Sequence, residues 1–169
     1  MLPRADKYCL DANVLIQAWQ NYYSPRFCPD YWNVLNELGH SGIIFLPENV
    51  SEEIMRTDDD LAKWLQGSKI EKKPIDEEVA KCLQEIYAKD PLHKFLVDNR
   101  KNRSLADPWV IAHAMKENAC VVTKEGKVTA LTAKNIRIPN VCENMNVPWI
   151  NDSEFVAEIG IEFSARLKN

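Results

Sequence analysis

The segment SLADPWVIAHA, residues 104–114, holds the most apolar helical pattern of the chain and has one acid, Asp107, near its start. Pro108 follows Asp107, and proline is favoured at the first position of a helix, so a helix is predicted over residues 108–118. Directly after it, residues 119–123 (ACVVT) have the short apolar pattern of a buried strand. This succession of helix and strand is the first indication of an α/β fold.

The same alternation continues through the rest of the chain. Further strands are predicted at Tyr8–Leu10, Ile43–Leu46, Ile136–Ile138 and Trp149–Ile150. Helices are predicted between them, including one that ends at Gly39 and a last one capped by Asp152, whereas the lysine-rich residues 67–74 are predicted to be a loop. Short apolar strands that alternate with helices imply a central parallel β-sheet flanked by helices on both faces. No linker divides residues 1–169, so we expect a single domain.

Four acids are predicted to meet at the edge formed by the carboxyl ends of the strands. Asp11 directly follows the first strand, and Glu125 lies two residues beyond strand 119–123. The helix that begins near Asp107 descends about 16 Å, and the strand after it climbs about the same distance, which returns the chain to the same edge. Glu53, in the helix after the second strand, flanks the apolar stripe and is the better inward-facing candidate there.

Carboxylates at one edge repel each other unless protons or cations neutralise them. Oxygen ligands without histidine or cysteine suit Mg²⁺ or Mn²⁺, which typically act on phosphates. The pattern therefore predicts a metal-dependent site for phosphotransfer or phosphodiester hydrolysis.

Each acid also has a simpler interpretation, and these alternatives stay open at this point. Asp107 and Asp11 each precede a predicted helix and could cap it. Glu125 could be an ordinary turn residue, and Glu53 a solvated carboxylate on a helix.

Composition limits the classes of function. The 21 basic and 25 acidic residues give a net charge of −4, which argues against binding nucleic acid by bulk charge but permits a local basic patch. The sequence has no apolar stretch of about 18 residues, so no membrane association is expected. The five cysteines are scattered without a CxxC motif and are expected to be buried thiols in a reducing, cytoplasmic compartment.

Four motifs in order resemble those of the PIN-domain nucleases, and within them the VapC-like toxins of toxin–antitoxin pairs. The motifs are YCLDANVLI (8–16), FLPENVSEEI (45–54), LADPWVIAHA (105–114) and ACVVTKE (119–125). The resemblance covers roughly residues 7 to 150 and implies a PIN-like domain with a helical insertion over residues 58–103. It also implies a Mg²⁺- or Mn²⁺-dependent endoribonuclease that forms a homodimer and is silenced by a small antitoxin protein.

The resemblance assigns a role to each acid. Asp11, Glu53 and Asp107 match the catalytic, metal-binding positions of the family. Glu125 stands where the family often has aspartate, and its longer side chain makes direct coordination the open point. Asn13 and Thr123 match polar positions that orient the ligands or water.

Basic residues close to these motifs are candidates for RNA binding. Arg100, Lys101 and Arg103 precede Asp107, and Lys124 precedes Glu125. Basic side chains supply the sequence-independent part of nucleic-acid affinity, although a solvated basic loop is an equal alternative.

Aromatic residues of the early helices, with Tyr22, Tyr23 and Phe27, form a candidate groove for a partner helix or a second copy of the chain.

Two other functions compete with the nuclease. One is a non-catalytic PIN-like module that binds RNA or protein, which has no need of a divalent ion. The other is a haloacid-dehalogenase-like phosphatase, which requires Asp-x-Asp after the first strand, whereas Asn13 holds the second position here.

Overall fold

A computed structural model describes residues 5–57, 59–97, 105–129 and 135–167. Within them the strands form one five-stranded sheet in the order β3-β2-β1-β4-β5, and all neighbouring pairs are parallel. The strands are β1 (Tyr8–Leu10), β2 (Ile44–Pro47), β3 (Glu71–Lys73), β4 (Cys120–Val122) and β5 (Trp149–Ile150). The predicted α/β fold with a parallel sheet is confirmed.

Helices connect the strands. The α-helices are α1 (Ala12–Gln17), α2 (Pro29–His40), α3 (Glu48–Met55), α4 (Asp60–Gly67), α5 (Glu77–Lys89), α6 (Asp107–Glu117), α7 (Ile138–Asn144) and α8 (Asp152–Ile159). A π-helical turn, Ala18–Tyr22, continues α1, and a 3₁₀ helix, Pro91–Leu96, follows α5. Of the helices in the described ranges, none has the length and apolar character needed to cross a lipid bilayer.

The central pair of strands determines where the acids can meet. Along β1 and β4, Leu10 lies opposite Val122, and every residue of both strands is buried. The next residues, Asp11 and Thr123, therefore emerge side by side at the carboxyl edge of the sheet. Ligands of open parallel sheets bind at this edge.

The sequence prediction missed β3. Glu71–Lys73 pairs with β2 as an edge strand, although the segment was predicted to be a loop. Its residues are charged because an edge strand needs no apolar side chain on its outer side, and charge there discourages pairing with other chains. The Lys73 ammonium lies 5.4 Å from the Phe45 ring centroid and 3.3 Å from a Glu117 oxygen. The predicted helical insertion thus contributes a strand to the central sheet.

The predicted strand Ile136–Ile138 is wrong. Residues 136 and 137 have no regular structure, and Ile138 is the first residue of α7. Three apolar residues are too few to distinguish a strand from a buried helix end, and Pro139 favours the helical start.

The prediction that a helix stops at Gly39 is also wrong, because α2 continues through His40. Gly39 is buried in the last turn, and a Cβ atom there would lie 2.6 Å from Ile70 Cγ1 and 2.8 Å from Ile70 Cα. The glycine is therefore required for close packing of α2 against the segment that leads into β3.

We expect Gly39→Ala to lower the free energy of unfolding by about 1–3 kcal/mol, because the added methyl meets backbone atoms that cannot move aside easily. Gly67→Ala is the matched control, since no atom lies within 4 Å of a Cβ built at this last residue of α4. It should be neutral or stabilising by up to about 1 kcal/mol. Urea denaturation measures both, and equal stability of the two variants would contradict the packing role of Gly39.

Candidate active site

Asp11 is the most buried acid at the carboxyl edge, with 3% of its surface exposed. Its backbone N–H donates to Val122 O at 3.0 Å, and the Thr123 hydroxyl donates to Asp11 Oδ2 at 3.0 Å. Although Asp11 occupies the N-cap position of α1, its side chain makes no capping hydrogen bond. The carboxylate therefore bonds to the residue that directly follows β4.

Burial raises the pKa of Asp11 to about 7. The hydrogen bond from Thr123 lowers this pKa, and the negative charges of Glu125 and Glu53 raise it. Burial also raises the pKa of Glu53, which is half-buried on α3, and Arg56 partly opposes this. The structure thus brings Glu53 and Glu125 within electrostatic range of Asp11.

Glu125 links the acidic edge to α7. Its Oε2 accepts a hydrogen bond of 2.8 Å from the N–H of Ile138, the first residue of α7. Its own N–H donates to Thr123 Oγ1 at 3.2 Å. The fully buried Thr123 therefore bridges Asp11 and Glu125, in the position expected of a residue that orients them.

Asp107 is the first residue of α6 and is 8% exposed. The N-cap is Ala106, so Asp107 does not cap the helix but lies in its first turn. One turn further along, Val110 O accepts a hydrogen bond of 3.5 Å from the thiol of Cys9 in β1. This contact shows that α6 packs against β1, and α6 leads directly into β4.

The acids do not form a ready-made metal cage. Over residues 5–57, 59–97, 105–129 and 135–167, no three Asp, Glu, His or Cys side chains are grouped so that they could hold a metal ion. The donor chemistry nevertheless suits a hard cation, because these are oxygen ligands. Binding would require the side chains to rotate towards one another and Asp11 to lose its proton.

The remaining candidates have different surroundings. Asn13 is exposed near the start of α1. The Lys124 ammonium donates to both carboxylate oxygens of Asp152 at 2.9 Å, so its charge is largely neutralised. Asp152 was predicted to cap α8, but Asn151 is the cap, and Asp152 is the first helical residue. The predicted RNA-binding residues Arg100, Lys101 and Arg103 lie outside the described residues.

A family model described as "Domain of unknown function (DUF4411)" matches residues 8–163. The chain belongs to this family. No curated protein matches the DUF4411 chain in sequence. Among solved structures, it is similar to a chain in the crystal structure of VapBC2 from Rickettsia felis bound to a DNA fragment from their promoter. The TM-score is 0.55 at 18% identity, over 85% of this chain and 97% of that one, so the shared property is the fold.

Asp11→Asn should stabilise the DUF4411 chain more at pH 8 than at pH 5. With a pKa of about 7, Asp11 holds its proton more tightly when folded than when unfolded, so stability falls as the pH rises from about 4 to 7. The variant lacks this penalty, and its advantage should grow by roughly 2–3 kcal/mol between these pH values. Urea denaturation at each pH measures the difference. Glu52→Gln, which removes an exposed acid from α3, should follow the wild type.

Two variants of Glu125 separate the effect of its hydrogen bond to α7 from the effect of its negative charge on stability. Glu125→Ala removes the acceptor for the Ile138 N–H and should cost about 1 kcal/mol, whereas Glu125→Gln keeps an acceptor oxygen and should cost less. Thermal unfolding at pH 8 compares them. If the alanine variant is as stable as the glutamine variant, Glu125 does not hold the start of α7.

Proposed function

We propose that this DUF4411 protein is a Mg²⁺- or Mn²⁺-dependent endoribonuclease that hydrolyses RNA phosphodiester bonds and leaves 5′-phosphate and 3′-hydroxyl ends. The observation that carries the proposal is Asp11 itself, an acid buried at the carboxyl edge of a parallel sheet, where burial first, and then the charges of Glu125 and Glu53, raise its pKa to about 7. Purely structural acids are normally placed beside basic partners, and this edge concentrates negative charge instead.

The chain's own residues divide the work at this edge. Asp11 and Asp107 are the proposed catalytic ligands from β1 and α6, and Glu53 and Glu125 complete the set from α3 and the end of β4. Thr123 keeps the Asp11 carboxylate in place through its hydroxyl. A bound divalent ion would supply positive charge to activate water and to stabilise the phosphoryl oxygens.

The motifs and the fold also support a role as the toxin of a toxin–antitoxin pair. The solved structure reported above contains VapBC2, and what this chain shares with it is the fold. We extend the proposal to a small antitoxin partner, a homodimer, a cytoplasmic location and a single domain over residues 1–169. A reading frame for a small DNA-binding protein beside the gene would favour this role over a general ribonuclease.

One observation favours the non-catalytic alternative. In the part of the chain that the structure describes, the acids are not gathered as a cation site. A PIN-like binding module would keep the fold and the buried Asp11 without using a metal. The two functions differ in whether Mn²⁺ binds to the folded protein and stabilises it.

Purified protein incubated with a mixed RNA pool should cleave it with Mn²⁺ and not with EDTA. Asp107→Asn and Asp11→Asn should each lose at least about 100-fold in cleavage rate, because each removes a carboxylate that neutralises and positions the ion. Glu52→Gln, with its exposed side chain, should cleave as the wild type does. Mass spectrometry of the product ends checks the chemistry of the cut.

Thermal unfolding with Mn²⁺ separates the alternatives without relying on a particular RNA. Binding to the folded state should raise the melting temperature of the wild type and not that of Asp11→Asn. A wild type that neither cuts RNA nor gains stability from Mn²⁺ is the binding module, and the nuclease proposal fails.

A further inference from the structure

Tyr22 is a half-exposed aromatic residue that is held in one orientation. It ends the π-helical turn after α1, and 49% of its surface is exposed. Its hydroxyl donates to Gln17 Oε1 at 3.0 Å, and its ring meets Tyr23 edge-on with 6.2 Å between centroids. Single π-helical turns occur frequently at functional sites. An exposed ring fixed in this way loses little conformational entropy when a ligand packs on it.

The same ring lies beside the acidic edge. The Lys124 ammonium is 4.5 Å from the Tyr22 ring centroid. Lys124 stands between Thr123 and Glu125 in the chain, and Thr123 bonds to Asp11. The Tyr22 ring therefore lies against the residue that follows Thr123, at the strand end from which Thr123 bonds to Asp11.

The charge of Lys124 is already paired with that of Asp152. Both oxygens of Asp152 accept from its ammonium at 2.9 Å, so Lys124 is better suited to fix the Tyr22 ring than to bind a phosphate. What remains exposed at this point is a nearly neutral aromatic surface next to a concentration of negative charge. Such a surface suits the flat, uncharged base of a nucleotide.

A second pair of the same kind lies on the connection between α1 and α2. Phe27 is 76% exposed, and the Arg26 guanidinium carbon is 5.5 Å from its ring centroid. Surfaces that bind single-stranded nucleic acids combine aromatic rings, on which bases stack, with cations that follow the backbone.

From these contacts we propose that Tyr22 is a positioning residue that stacks an unpaired base of the RNA beside the bond to be cut. The inference rests on the proposed nuclease function and deepens it. Bases within a duplex are already stacked, so the residue selects for unpaired nucleotides near the cut.

The test compares Tyr22→Leu with Tyr22→Phe in cleavage of an RNA that the wild type cuts. Loss of the ring should raise KM about five- to one-hundred-fold and leave kcat within about two-fold, as expected for a base–aromatic contact made in both ground and transition states. The phenylalanine variant keeps the ring and should restore most of the KM. Abasic nucleotides can be placed one at a time around the cut. At one position the missing base should raise the KM of the wild type, whereas the KM of Tyr22→Leu should not change there.

A binding measurement keeps the inference testable apart from catalysis. RNA affinity can be measured by fluorescence anisotropy with labelled oligoadenylate of about 12 nucleotides, in EDTA and on the Asp11→Asn background. Tyr22→Leu should lower this affinity by the same factor by which it raises KM. Equal RNA affinity with and without the ring, or no RNA binding by either protein, overturns the inference and leaves the aromatic surface to a protein partner. If RNA binding depends on the ring but the wild type cuts no RNA, base stacking on Tyr22 is supported and the proposed nuclease function is refuted.

Discussion

The hydrogen bond from Thr123 to Asp11 joins the two central strands at the point where each ends, and the candidate site is built around it. It depends on the parallel register in which Leu10 lies opposite Val122. A shift of one residue in that register would turn Asp11 or Thr123 to the other face of the sheet and separate the pair. The continuous burial of β1 and β4 protects the register, because a shift would also disrupt the core.

This arrangement sets stability against function. A carboxyl group buried beside other acids lowers the stability of the folded state at neutral pH, and the hydrogen bond from Thr123 offsets only part of that cost. The surrounding sheet and the helices packed on it keep the strained edge in place. Folded proteins commonly retain such unfavourable groups where they bind or react, and replacing those groups then raises stability at the expense of activity.

Much of the fold could be predicted from the sequence, because most of its strands are apolar and its helices are amphipathic or capped. Tyr8–Leu10 and Trp149–Ile150 are strands as predicted, and α6 begins at Asp107, one residue before the predicted start. The charged edge strand β3 gave no periodic signal, since its stability comes from pairing with β2 rather than from burial.

Only part of the candidate site could be predicted from the sequence, for a related reason. Local spacing places Asp11 and Glu125 at strand ends, and the structure brings both to Thr123. Two contacts could not be predicted, because each joins residues that are distant in sequence. Glu125 accepts a hydrogen bond from the first residue of α7, and Lys124 pairs with Asp152. The place of Tyr22 beside Lys124 is likewise a product of the three-dimensional fold.

The two borders of the sheet have a consequence for self-association. On one side β3 presents Glu71, Lys72 and Lys73, and on the other β5 is only two residues long. Charge and shortness both discourage a second chain from adding a strand, which protects the protein from edge-to-edge aggregation while it folds. Two copies that associate are therefore expected to meet through helices or connecting segments, and the central sheet of each copy stays separate.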